Sequence, residues 1–289
     1  MEENLQLTQE QFDKLRQKEL ELLTVFMDVC RQLNLRYFVV EGTLLGAVRH
    51  RGFIPWDDDV DVGMLREDYE QFVEKAAPLL PDGFFLQTHQ TDPQYAQCYA
   101  KLRNNNTAFV ETTAKDLNIH HGIYLDIFPF DYYPDNILRG LYLDGVKLLV
   151  RYRVREIYYI PSDSQLSVRN LIRRMIAFIA KRRFVTVEDA LAFQEKVFKR
   201  CQPSRRYINN GSPWKNRERV DASVFADTQH LTFEGLTVCA PGGYERYLRH
   251  VYGDYMQLPP ESERIPHHHL TYISFDKAYR VDYDSENNK

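Results

Sequence analysis

The stretch that most limits what this chain can fold into is Trp56-Asp57-Asp58-Asp59-Val60-Asp61-Val62, four acids within five residues and two valines set among them. Asp59 and Asp61 alternate with Val60 and Val62. On a strand, side chains at i and i+2 share one face. Both carboxylates then point one way and both valines enter the core. Like charges held side by side repel, and a divalent cation with oxygen ligands is the usual means of offsetting them; Mg²⁺ takes one or two carboxylates plus substrate phosphates. Of the other two acids, only Asp57 shares the parity of the pair, so Asp57 and Asp58 are weaker candidates.

An acidic run can also be a solvated turn. What precedes this one argues for a site. Tyr37 to Val40 is an apolar run of aromatic and β-branched residues and reads as a buried strand. Glu41-Gly42-Thr43 breaks it, and Leu44 to Val48 reads as a short helical turn. Small residues such as Gly42 and Thr43 let backbone N–H groups approach a phosphate closely. A Gly-Ser or Gly-Thr turn after one strand, facing D-x-D on the next, is the signature arrangement of the nucleotidyltransferase fold. Thr43 stands where that fold often has Ser.

A third acid lies further on. Gly122 to Phe130 is nearly all apolar and carries one carboxylate, Asp126. A lone Asp in such a strand is costly to bury unpaired, so it calls for an ion pair or a metal. Lys101 and Arg103 alternate with Leu102 and face one side of their own strand. Beside carboxylates and a nucleotide such cations can clamp phosphates; otherwise they are a solvated strand face.

The run Gly42 to Val62, G-T-L-L-G-A-V-R-H-R-G-F-I-P-W-D-D-D-V-D-V, resembles the LicD family of phosphocholine transferases, related to the fukutin-type sugar-phosphate transferases. His120 to Phe130 resembles the family's second acidic strand, and Tyr252 to His268 its C-terminal signature. The resemblance implies a mixed α/β fold with a small twisted sheet carrying an acidic triad, flanked by helices. It makes Asp59, Asp61 and Asp126 the catalytic and metal-binding residues. Substrate binding is expected at Gly42, Thr43, Arg49, Lys101 and Arg103. The implied cofactor is Mg²⁺, with Mn²⁺ as the alternative, as two ions about 3.5–4 Å apart. The implied reaction moves phosphocholine from CDP-choline to a hydroxyl of a glycan or lipid-linked glycan, a teichoic acid or lipopolysaccharide precursor, and releases CMP. Two other readings stay open: a transferase for another CDP-activated alcohol phosphate, such as ribitol or glycerol phosphate, and a nucleotidyltransferase proper that releases pyrophosphate. A non-catalytic binding protein is the reading outside enzymology. No nucleic-acid partner is expected.

Around this centre, residues 8–34 read as a helix with Thr8 as N-cap and Gln11 three residues on, assigned no chemistry. Helices are expected at Arg66 to Leu79, Asn136 to Tyr159, Ser167 to Arg183, Val187 to Cys201 and Tyr244 to Tyr252. Strands are expected at Phe84 to Thr88, Tyr95 to Arg103 and Ala108 to Glu111, with Asn104 to Asn106 turning between the last two. A hairpin is expected at Leu231 to Val238. From Asn136 to Phe184 there are eleven Lys and Arg against three acids, in a chain of formal net charge −4. Basic amphipathic helices of this kind either lie on anionic membranes or polyanionic acceptors, or are ordinary helices with cationic outer faces. The expected organisation is a catalytic core over 1–135, a basic helical insertion over 136–205, and a C-terminal segment over 206–289 completing the core, with a tail after about 275.

No run of eighteen or more apolar residues exists, so no spanning helix is expected. The polar start, Met1 to Glu10, does not read as a secretory signal. Cys30, Cys98, Cys201 and Cys239 form no C-x-x-C and read as reduced, buried thiols. The expected location is the cytoplasm, at the inner face of the membrane if the basic helices bind it. His267-His268-His269 is not expected to hold zinc, because adjacent histidines on regular structure cannot all face one ion.

Overall fold

The computed structural model describes residues 5–155, 168–211 and 219–280. It is a mixed α/β fold, as the resemblance implies. The chain opens with α1 (Gln9–Leu33), closed at its start by a capping box between Thr8 and Gln11. Then come β1 (Phe38–Val39), α2 (Glu41–Arg49), β2 (Asp61–Leu65), α3 (Arg66–Lys75), β3 (Phe84–Gln87), β4 (Ala100–Asn104), β5 (Ala108–Glu111) and β6 (Tyr124–Tyr133). Three helices follow, α4 (Ile137–Val154), α5 (Val168–Arg183) and α6 (Val187–Lys199). The last part holds β7 (Arg206–Asn209), β8 (Arg219–Asp221), β9 (Thr228–Phe233), β10 (Leu236–Pro241), α7 (Tyr244–Tyr252) and β11 (Leu270–Ser274).

The main sheet runs β1-β2-β6-β4-β3, and β7 and β8 extend it from the far end of β6. Only β2 and β6 pair in parallel; the other pairs in this sheet are antiparallel. β6 is the central strand and is buried along nearly its whole length, which explains its almost unbroken apolar sequence. α1 lies across β4 and β6 and buries Leu15, Leu22, Phe26 and Val29 into the main core. α4 and α6 pack round a separate small cluster that includes Val146, Val150, Phe184 and Leu191. β9 and β10 form the expected hairpin, closed by Glu234-Gly235, both at positive φ (48° and 80°). Two consecutive left-handed residues give a turn whose twist matches the strands. Among the described residues no helix is long and apolar enough to cross a membrane.

Several expectations differ in detail. The expected strand from Tyr95 is regular only from Ala100, and β5 leaves β4 to pair with β11 instead of returning as a hairpin. β7, β8 and β11 were not expected; each is short, β7 and β11 gain partners from distant parts of the chain, and β8 pairs with β7. The four cysteines are free thiols, but only Cys30 is buried and the other three are half-buried. The expected helix end at Tyr159 and the expected helix start at Ser167 lie outside the described residues, as does the end of the tail.

Candidate active site

The parallel pairing of β2 with β6 sets Asp61 directly opposite Asp126. The Asp126 N–H donates to the Val60 carbonyl at 3.0 Å, so the two acid-bearing segments are stitched together at this level. Asp59 lies two residues before the start of β2, on extended chain, with Val60 and Val62 fully buried beneath it. The Asp61 N–H donates to Thr43 Oγ1 at 2.8 Å, which fastens the first turn of α2 behind the acids. Gly42 sits in the same turn. A Cβ there would come within 2.6 Å of Asp57 Oδ2, so only glycine lets the carboxylate lie this close to the helix start. Glu41 opens α2 at φ +46°, and its buried carboxylate accepts a hydrogen bond from Asn209 Nδ2 at 2.8 Å.

The acids are packed more tightly than a solvated turn would hold them. Carboxylate oxygens of Asp57, Asp58 and Asp59 lie within 4.8 Å of one another. Burial pushes the Asp57 carboxyl well up, with Asp59 and Asp58 adding to it. Burial also raises Asp59 to about 6, against the pull of His268 and with Asp58 and Asp126 adding. Asp61 is raised well above its ordinary range by burial, then by Asp59, Glu41 and Asp126. Asp126 is raised by burial and partly relieved by Lys101.

A further carboxylate joins them from α1. Glu19 is 1% exposed, its Oε2 has no hydrogen-bond partner, and burial followed by the charges of Asp59, Asp58 and Asp57 drives its carboxyl well up. An all-oxygen, mutually repelling donor set with an orphaned buried oxygen at its edge fits a hard divalent cation. Asp57, Asp58 and Asp59 are close enough together to share one ion, and Asp61 and Asp126 stand in register on the strands beside them.

Cations line the other side. Lys101 Nζ forms an ion pair with Asp126 Oδ1 at 2.8 Å and lies 3.2 Å from the centroid of the Tyr124 ring. Arg103 donates to Gln87 Oε1 and the Gly122 carbonyl, both at 2.7 Å, with its guanidinium over the same ring. His268 comes from the C-terminal segment. Asp58 accepts the backbone N–H groups of His267 (3.3 Å) and His268 (3.2 Å) and pairs with His268 Nδ1 at 3.1 Å. Burial disfavours charge on His268, but the Asp58 hydrogen bond, then Asp59 and Glu111, outweigh it and hold the imidazolium up to about 10. Lys101, Arg103, Asp126 and His268 share one pocket of about 320 Å³, walled by aromatic rings including Tyr99 and Phe109.

Of the residues named from the sequence, Lys101, Arg103 and Asp126 line this pocket, while Asp59, Asp61, Gly42 and Thr43 meet beside it where α2 and β2 begin. Arg49 ends α2 within reach of the charge of Asp57 and donates to the carbonyls of Tyr255 (3.0 Å) and Gln257 (3.4 Å), tying that helix to the loop after α7. Sequence reasoning missed Glu19 and His268. Glu19 left a signal: it falls in the buried stripe of α1 between Leu15 and Leu22, where a charge is out of place. His268 left none beyond its place in the C-terminal signature, since a loop residue's tertiary neighbours have no local pattern.

Carboxylates thus stand at the mouth of one strand and on its parallel neighbour, with a helix start behind them on a mixed sheet. Residues 34–153 match the family described as LicD/FKTN/FKRP, nucleotidyltransferase domain. It is 28% identical over 254 residues to the lipopolysaccharide cholinephosphotransferase LicD of Haemophilus influenzae, covering 86% of this chain and 92% of that protein. An uncharacterized protein of Rickettsia prowazekii is 32% identical over 170 residues, 54% of this chain and 57% of its own length. The human ribitol 5-phosphate transferase FKRP is 50% identical over 40 residues, 14% of this chain and 8% of its own. This family places the protein among transferases of a phosphate-linked group.

Proposed function

We propose that the protein transfers phosphocholine from CDP-choline to a hydroxyl of a cell-surface glycan precursor and releases CMP, with Mg²⁺ at the acid cluster. The observation that carries this is the Asp61–Asp126 register beside Asp57–Asp59, a site for phosphoryl-type transfer, in a chain that resembles the H. influenzae cholinephosphotransferase along most of its length. When bound, the metal would supply positive charge to offset that developing on the phosphate oxygens and the departing nucleotide.

The chain's own groups have separable tasks. Lys101 and Arg103 offer two cations to the diphosphate in the pocket they share with Asp126. Asp126, whose affinity for a proton is raised by burial, is suited to take the proton of the attacking hydroxyl. Asp58 fixes the His267–His268 backbone and so closes the C-terminal segment over the acids. Tyr99, Phe109 and Tyr124 present ring faces and edges near the transfer site, the surfaces that bind quaternary ammonium groups by cation–π attraction. The faces of Tyr124 are in part taken by Lys101 and Arg103.

A second reading, transfer of ribitol phosphate, is favoured by the short FKRP match, but that match spans far less of the chain. The test is mass spectrometry of the products after incubation with Mg²⁺, a glycan acceptor and, separately, CDP-choline, CDP-ribitol, CDP-glycerol and a nucleoside triphosphate. CMP with a phosphocholine-bearing product supports the proposal. Turnover of CDP-ribitol alone would replace it with the second reading, and pyrophosphate release from a nucleoside triphosphate would replace both.

A further inference from the structure

Ten of the sixteen exposed large apolar side chains among the described residues lie on α4 and α5. On α4 they include Ile137, Leu138, Leu141 and Tyr142, exposed by 56–75%. On α5 they are Leu171, Ile172, Met175, Phe178 and Ile179, exposed by 46–68%. The α5 set recurs at i, i+1, i+4, i+7 and i+8, the spacing of one helical face. Helices normally turn such a face to the core. Here Ala180 is the only buried residue among the described side chains of α5, although the helix packs beside α4. An apolar stripe of this length left in water is an interaction surface.

Its charge selects the partner. α5 contains Arg169, Arg173, Arg174, Lys181, Arg182 and Arg183 and no acid. The one acid of α4, Asp144, is paired with Arg219. A second copy docking here would set one cationic helix against its twin, whereas an anionic lipid surface offsets the charge while receiving the apolar side chains. The helices are too short in apolar length to cross a bilayer, which leaves them in the plane of the interface. We propose that α4 and α5 form a docking face for an anionic phospholipid bilayer, with the α5 stripe inserted among the acyl chains and the Arg and Lys side chains at the headgroups.

This face leads towards the site. A mainly apolar cavity of about 400 Å³ reaches exposed Leu148 on α4 and shares Gln97, Arg151 and Val154 with the pocket that holds Asp126. A lipid-linked acceptor would then reach the acids without leaving the interface. That last step rests on the transferase reading; the docking does not.

The experiment is co-sedimentation of the full chain with vesicles of equal phosphatidylglycerol and phosphatidylcholine, and with phosphatidylcholine alone. We expect binding to the anionic vesicles at least tenfold stronger than to the neutral ones, weakening as salt rises. Replacing exposed side chains by Leu171→Ser, Met175→Ser and Phe178→Ser together should cut binding at least tenfold while keeping all charges. Arg174→Glu with Arg182→Glu should lower it most at low salt. Circular dichroism checks folding, and the charge-reversal pair still decides the matter if the serine variant does not fold. Wild-type protein left in the supernatant with anionic vesicles would overturn the proposal. So would unchanged binding of both variants, or dimerisation in light scattering that the serine variant abolishes, which would give the face to a second copy. Vesicle binding without CMP release would overturn the transferase reading and leave the docking standing.

Discussion

Replacing Asp59 by Asn tests the acid cluster without relying on activity. Burial, opposed by His268 and helped by Asp58 and Asp126, raises the Asp59 carboxyl from its ordinary 3.8 to about 6. The native state therefore holds this proton more tightly than the unfolded chain does. Native stability from this group is full below about pH 4, is withdrawn as pH rises towards 6, and is absent above it. Two units correspond to about 3 kcal/mol against the folded state at neutral pH. Asparagine has no charge to bury. Asp59→Asn should thus melt higher than the parent at pH 7.5 in chelator, on the order of 5–10 °C for a penalty of this size. Its advantage should vanish at pH 4, where the parent's carboxyl is protonated. Adding Mg²⁺ should close most of the gap: a parent saturated to about 100 times its dissociation constant gains about 2.7 kcal/mol, and the variant less. The assay is a set of melting curves at the two pH values, each with chelator and with Mg²⁺. A variant that melts below the parent in chelator at pH 7.5, or whose advantage is the same at pH 4, would refute the reasoning.

Glu19→Gln should behave alike in chelator, more stable at pH 7.5 and no different at pH 4, because burial and three aspartates oppose its charge; an unchanged melting temperature at pH 7.5 would remove Glu19 from the cluster. Asp61→Asn and Asp126→Asn should each lower CMP release by about 10²–10³, the scale for losing one electrostatic contributor to a transition state, with Asp126→Asn retaining a Mg²⁺-induced rise in melting temperature if its main task is the proton. Arg66→Ala should cost about 3–5 kcal/mol in urea unfolding, because it strands Asp131 without the two hydrogen bonds (2.7 and 2.6 Å) that now neutralise it in the core. His268→Ala should leave the main sheet intact but loosen the C-terminal segment, read as faster amide exchange from Ile265 to Leu270, since Asp58 would keep its backbone partners and lose the ring.

Much of the fold was legible because its signals are local. The capping box of α1, the period of its apolar face, the Glu234-Gly235 turn and the ends of α7 each depend on residues within a turn or two of one another. The short strands were not legible for the opposite reason. β11 is a strand only because β5, some 160 residues earlier, offers it an edge, and β7 only because β6 outruns β4.

The sequence by itself determined that valines and aspartates would part to opposite sides at the mouth of β2, because side-chain alternation is a property of extended chain. It determined that Asp126, the one acid between Gly122 and Phe130, would need an ion pair or a metal, because an apolar strand offers it no water. Tertiary structure alone decided what met those acids. The parallel register of β2 on β6 set Asp61 against Asp126 and not one residue off, which would have turned the carboxylate to the other face. The crossing of α1 over the sheet brought Glu19 in, and the return of the C-terminal segment brought His268. These contacts join residues tens to hundreds of positions apart. Their energies depend on where chains pack, which no local pattern encodes.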